Sequence, residues 1–198
     1  MSRPPLSTSA VVLRAAQLAD ADGLGAVTLA AVARSLGVRT PSLYSHVRDL
    51  AALRDGVTVL ALDELADRVA DAVVGRSGGE ALAGFAAAHR SYAHEHPGRW
   101  EALHRRAGPA AVQAPAAGRV VRLTEAVLLG YPVPPADRVH ATRFLGATLS
   151  GFLDLERLGS FDHSSPAPVQ SWRELLRSLH LVLSHWSTRD PIPPQESS

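Results

Sequence analysis

Residues 28–48, TLAAVARSLGVRTPSLYSHVR, constrain this chain more than any other stretch. They read as a helix over 28–36, a tight turn at Gly37-Val38, and a second helix over 40–47. Thr28 is suited to cap the first helix, because its hydroxyl accepts an otherwise unpaired first-turn N–H. Leu29, Val32, Ala33 and Leu36 recur at i, i+3, i+4 and i+7 and make one apolar face. Gly37 falls where that helix must stop, since glycine takes a left-handed backbone without a Cβ penalty. Pro41 fits the first turn of the second helix, where its missing N–H is no loss. Leu43 and Val47 are the inward anchors, while Thr40, Ser42, Tyr44, Ser45 and His46 form a hydrogen-bonding outer face. A short helix held by two apolar contacts, with its polar side outward, is suited to insertion into the DNA major groove. That groove admits one helix and displays donors and acceptors along the base edges. A helical hairpin with a solvated face is the plainer alternative.

Taken together, Thr28-Leu29, Val32-Ala33, Leu36-Gly37-Val38 and Leu43-Tyr44-x-His46-Val47 resemble the DNA-binding segment of the TetR (tetracycline-repressor) family. The similarity extends to Ala15-Ala16, Leu18 and Gly23 upstream and to Leu53 downstream, about the first quarter of the chain. The resemblance implies an all-α protein: a three-helix helix-turn-helix head over 1–48, and a helical ligand-binding and dimerisation bundle over 49–198. It further implies a homodimer on a palindromic operator, released by a small-molecule effector and acting as a repressor. Thr28 is expected to bind phosphate through its cap and helix N-terminus. Thr40, Ser42 and Ser45 are expected at base edges, Pro41 on a thymine methyl, Tyr44, His46 and Arg48 on phosphates, and Arg39 in either role. One departure matters: the family commonly carries Lys where this chain has Leu50, and Arg48 or Arg3 would have to substitute.

Charge distribution agrees with a head that meets phosphates. Residues 1–48 hold five arginines against two aspartates, whereas the remainder is slightly acidic and the net charge of the chain is only +1. Every basic residue is Arg. With no cysteine, disulfides, thiolate catalysis and Cys-ligated zinc are excluded. No apolar run is long enough to span a bilayer and MSRPPLSTSA lacks a signal-peptide core, so a cytoplasmic protein is expected. The nine histidines include no His-x₃-His or His-Glu-x₂-His pair, and no phosphate-binding Gly-rich loop or Gly-x-Ser-x-Gly element occurs. No metal, no cofactor and no enzymatic activity are expected.

Beyond the head, residues 8–22 read as a brace helix capped by Ser7, and residues 1–7 and 189–198 as mobile tails. A long helix over 49–74, capped by Asp49, would join head to body; its acids, Asp55, Asp63, Glu64, Asp67 and Asp71, lie mostly off its apolar face. Helices follow over 80–94, 97–106, 117–129, 135–158 and 170–187, about nine in all, with loops at 75–79, 108–117 and 159–169. The spacing of His89, Tyr92, His96, Trp100 and His104 would place them on one side, although Pro97 interrupts the register. Tyr92, His96, Trp100, His104, Thr124, Arg143, Phe144 and Thr148, with His140, are polar or aromatic where aliphatics would suffice, and they are the candidates for an effector pocket. Gly146, Leu149, Phe152, Leu153, Leu176, Leu179 and Leu183 are the candidates for a four-helix dimer interface on the last two long helices, with an intramolecular core as the competing reading. A helical ligand-binding or protein-interaction module with an idle head is the alternative function.

Overall fold

Ser7 and Thr28 both act as helix caps. The Ser7 hydroxyl accepts from the Ala10 N–H and the Thr28 hydroxyl from the Ala31 N–H, each at 3.1 Å. The computed structural model describes residues 6–188, so the terminal arms, Arg3 included, lie outside the described residues. Nine α-helices and no strand occur among the described residues. They are α1 (Thr8–Asp22), α2 (Leu29–Leu36), α3 (Leu50–Val73), α4 (Gly78–Glu95), α5 (Pro97–His104), α6 (Pro109–Val112), α7 (Pro115–Leu128), α8 (Arg138–Arg157) and α9 (Pro168–Ser184). No helix among them is long and apolar enough to cross a membrane.

The chain divides into two units, residues 1–72 with 87–123, and residues 73–86 with 124–198. In the first, Val11, Ala15, Ala16, Ala19, Val32 and Leu43 pack with Leu53 and Val57 of α3 and with Ala102 of α5. This core runs across the boundary at 48/49 expected from sequence, because three short helices bury too little surface alone and recruit α3 and α5. The helix expected over 40–47 is corrected too. A 3-10 turn spans Thr40–Leu43, and Tyr44, Ser45 and His46 continue it as a turn. The cause is local: the Ser45 hydroxyl donates to the Ser42 carbonyl at 2.9 Å, and the His46 N–H turns instead to the Leu43 carbonyl. Asp49 caps α3 as expected, its carboxylate accepting the Ala52 N–H at 2.7 Å.

In the second unit, Leu145, Leu149 and Leu153 of α8 are buried with Trp172, Leu179 and Leu183 of α9. Phe152 is half-buried, its ring centroid 5.3 Å from that of Trp172 and 5.1 Å from that of Phe161. This corrects the expected dimer face. Leu149, Leu153, Leu179 and Leu183 are at most 1% exposed within a single chain and have no surface left for a second copy. Leu176 is half-buried, and Gly146 is exposed with open space above it.

Candidate nucleic-acid interface

The candidate site is the turn after α2. Gly37 closes α2 in the left-handed region (φ 63°), and its N–H bonds back to the helix. The chain then rises through Arg39 into the 3-10 turn. Leu43 is fully buried and Val47 nearly so, and these two side chains fasten the turn to the head. Burying two such aliphatics stabilises it by about 1.5–3 kcal/mol each. Around them Pro41, Ser42, Tyr44 and Ser45 are exposed, Tyr44 to 56%, with Thr40 and His46 half-buried. Thr28, Arg39 and Arg48 are exposed as well. Three of these groups are already engaged. The Thr28 oxygen accepts a helix N–H, leaving its own proton to donate; the Ser45 proton is spent on Ser42, leaving its oxygen to accept. Arg48 lies beside Asp49 at 2.9 Å. That contact and the Ala52 N–H hold the Asp49 carboxyl below its ordinary range, with the backbone hydrogen bond the larger cause.

Behind this turn, α5 is tied to the head by polar groups that sequence reading did not single out. The Asp20 carboxylate of α1 accepts the first N–H groups of α5, from Gly98 at 3.1 Å and Arg99 at 2.9 Å. Because α5 has no capping side chain of its own, Asp20 serves as its cap from another helix. Arg99 is 7% exposed and sits between two acids: its Nε lies 3.1 Å from Asp20, and one Nη donates to both oxygens of Glu64 at 3.0 Å. The Tyr92 hydroxyl donates to the same Glu64 at 2.8 Å. Burial, followed by the Glu64 charge, pushes the Tyr92 phenol well above its ordinary range. Glu101 accepts the Leu24 N–H at 3.1 Å, and the Thr58 hydroxyl donates to the Ala102 carbonyl at 3.1 Å. Gly98 permits the approach, since a Cβ there would lie 2.0 Å from the Ala19 carbonyl. The only sequence signal for this brace was negative: the segment before α5, HEHPG, offers no good N-cap.

The expected effector residues are divided between the two units, Tyr92, His96, Trp100 and His104 in the first and Thr124, Arg143, Phe144 and Thr148 in the second. Tyr92, His96, Trp100 and His104 do share a side of the chain, as their spacing required: Tyr92 and His96 lie 5.1 Å apart, Trp100 and His104 4.5 Å, and His89 meets Trp100 edge-on at 6.2 Å. They act as a packed column. Tyr92 and Trp100 are buried, His96 lies 3.4 Å from Asp20 and 3.1 Å from Arg68, and His104 Nδ1 lies 2.9 Å from the Trp100 carbonyl oxygen. Glu95 pairs with Arg68 at 2.7 Å. In the second unit Thr124 is buried, Arg143 and Phe144 are exposed, and the Thr148 hydroxyl donates to its own helix at Phe144. Two cavities in the first unit, of about 570 and 490 Å³, are lined by none of these eight residues. Among the described residues no cluster of His, Asp and Glu is arranged to hold a metal.

A buried-anchor turn with an exposed polar face, backed by α1 and α2, defines a helix-turn-helix DNA-binding protein. Residues 82–179 match the family model described as the tetracyclin repressor-like, C-terminal domain. The chain is 32% identical over 157 residues to the HTH-type transcriptional regulator YobS of Bacillus subtilis, covering 79% of this chain and 82% of that one. It is 33% identical over 165 residues to an HTH-type transcriptional regulator of Mycobacterium tuberculosis, covering 82% and 76%. Among solved structures, a TetR variant from Acinetobacter baumannii AYE in complex with minocycline superposes with a TM-score of 0.70. It is 20% identical and matches 94% of this chain and 100% of that one. Apo ActR from Streptomyces coelicolor also gives 0.70, at 17% identity, over 93% and 100%. The chain belongs to the TetR family of transcriptional regulators, and it works by binding DNA rather than by catalysis.

Proposed function

We propose that this protein is a cytoplasmic, homodimeric repressor of a neighbouring gene, released from a palindromic operator by a small-molecule effector. The observation that carries the DNA reading is the turn over residues 40–46, polar outward and pinned by buried Leu43 and Val47. Ser42, Thr40 and the acceptor oxygen of Ser45 meet base edges, and Pro41 meets a thymine methyl. Thr28, Tyr44, His46 and Arg48 meet phosphates, with Arg39 beside them. Two half-sites a helical turn apart demand two-fold symmetry. Support for a dimer comes from α8 and the residue that closes it, where Phe144, Ala147, Gly151, Leu155 and Leu158 follow at spacings of three and four. All five are exposed, Phe144 to 36%, Leu155 to 46% and Leu158 to 79%. A row of that kind on a surface marks an interface. The minocycline complex of the Acinetobacter protein is the precedent for an effector.

Gel-shift titration against the intergenic DNA beside its own gene tests the reading. Tyr44→Ala weakens binding on every sequence, whereas Ser42→Ala relaxes preference at one base position, a change of about 1–3 kcal/mol there. Equal losses for both variants on random DNA would defeat the assignment. Absence of any duplex binding by the wild type would leave the idle-head alternative. Sedimentation of Leu155→Glu reports on the dimer, which this variant should dissociate.

A further inference from the structure

The larger of the two cavities described in the first unit is a groove at the end of the reading turn. It encloses about 570 Å³; α3 contributes Ala51, Ala52 and Asp55, and the segment after α5 contributes Arg105, Arg106 and Gln113. Arg48 lies at its rim, 85% exposed. Asp55 builds this groove. Its buried carboxylate accepts from Arg105 at 2.7 Å and from the Gly108 N–H at 3.2 Å, which fixes the segment carrying Arg105-Arg106. Arg105 is thereby neutralised and Arg48 shares Asp49. Arg106 is exposed and makes no ion pair among the described residues, so the groove carries an uncompensated cation.

We infer that this groove is a second contact for the DNA backbone, in which Arg106, with Arg48, binds phosphates flanking the bases read by the turn. The inference rests on the reading of Arg48 as a phosphate contact and extends it along the duplex. Two features favour DNA over a small anion. The groove is continuous with Arg48, the last residue of the reading segment. Its cations are carried on alanine-rich walls, suited to sugar edges between phosphates.

The test is fluorescence anisotropy with labelled duplexes, one carrying the intergenic DNA beside the gene and one of random sequence, titrated from 50 to 200 mM salt. Arg106→Gln should make the slope of log affinity against log salt shallower by about 0.9 per subunit, equally on both duplexes. Arg173→Gln, an exposed arginine of α9, controls for the change in net charge and should leave the slope unaltered. A wild-type slope in Arg106→Gln would overturn the inference while leaving DNA binding intact. An unaltered slope combined with a lost affinity for inorganic phosphate would make the groove a small-anion site, which also overturns it. Absence of binding by wild type and control alike would remove the Arg48 reading on which it depends.

Discussion

The reading turn and the brace behind it use the same residue types for opposite ends. In the turn Ser42, Tyr44 and Ser45 are exposed, and the Ser45 hydroxyl is bonded to the turn's own backbone. In the brace Asp20, Glu64, Tyr92 and Arg99 point inward and bond to other helices. A polar side chain therefore signals recognition in one place and rigidity in the other. What separates the two is whether a partner from a distant part of the chain is waiting. A turn that presents donors to DNA gains from preorganisation. Its foundation is a network that leaves α1, α3 and α5 little freedom relative to one another within their unit.

Arg99→Met should break the comparison most severely. It leaves Asp20 and Glu64 largely buried without their shared cation, and losing one partner of such a set costs about 3–5 kcal/mol when burial is complete. Glu64 retains 29% exposure, so about 3 kcal/mol is expected, read as a lower urea midpoint. Adding Asp20→Asn should recover part of the loss, because the two sites share a partner. Base preference in whatever DNA binding remains should be unaltered. A midpoint within about 0.5 kcal/mol of wild type would show that the brace is ornamental surface charge.

Gly98→Ala comes next. Its Cβ would meet the Ala19 carbonyl carbon and oxygen at 2.0 Å, and backbone yields less readily than a side chain. Overpacking of this kind costs about 2 kcal/mol. The variant should also bind DNA more weakly than its stability loss alone explains, since α5 must move off α1. If structure determination of the variant found α5 unmoved, the link between brace and reading turn would fail.

The contrast also explains what could be read from the sequence. α1 runs over Thr8–Asp22 as expected, and Thr28, Gly37 and Asp49 act where they stand, because caps and left-handed stops depend on neighbours within four residues. The outward set of the turn was legible for the same reason. Its 3-10 geometry was not, since that depends on one hydroxyl taking one carbonyl. The brace showed in the sequence only as a missing cap before α5. Asp20 and the Gly98 N–H stand 78 residues apart, and nothing in either segment names the other. Asp55 was grouped with the acids off the apolar face of α3 because its partners, Arg105 and Gly108, come from the end of the helix expected over 97–106 and the loop after it, and nothing local names them. On α8 and α9 periodicity correctly found apolar stripes but could not tell the stripe that Trp172 covers from the one left open at Phe144, Leu155 and Leu158.

The gentlest test of the comparison lies at Asp49, where turn and foundation meet. Its carboxyl is held below the ordinary value of 3.8, first by the Ala52 N–H and then by Arg48. A carboxyl whose folded value is depressed binds its proton more readily in the unfolded chain. Its contribution is therefore fully present above about pH 4 and fades as pH falls through the folded value. Asp49→Asn keeps a good cap but removes the charge. Wild type should therefore exceed Asp49→Asn in urea midpoint at pH 6, with the gap narrowing steadily as pH falls below 4. The group is exposed, so the gap is the smallest of the effects predicted and should shrink further in high salt. A gap that widened on acidification would reverse the sign of the linkage, and α3 would then owe nothing to the charge at its first turn.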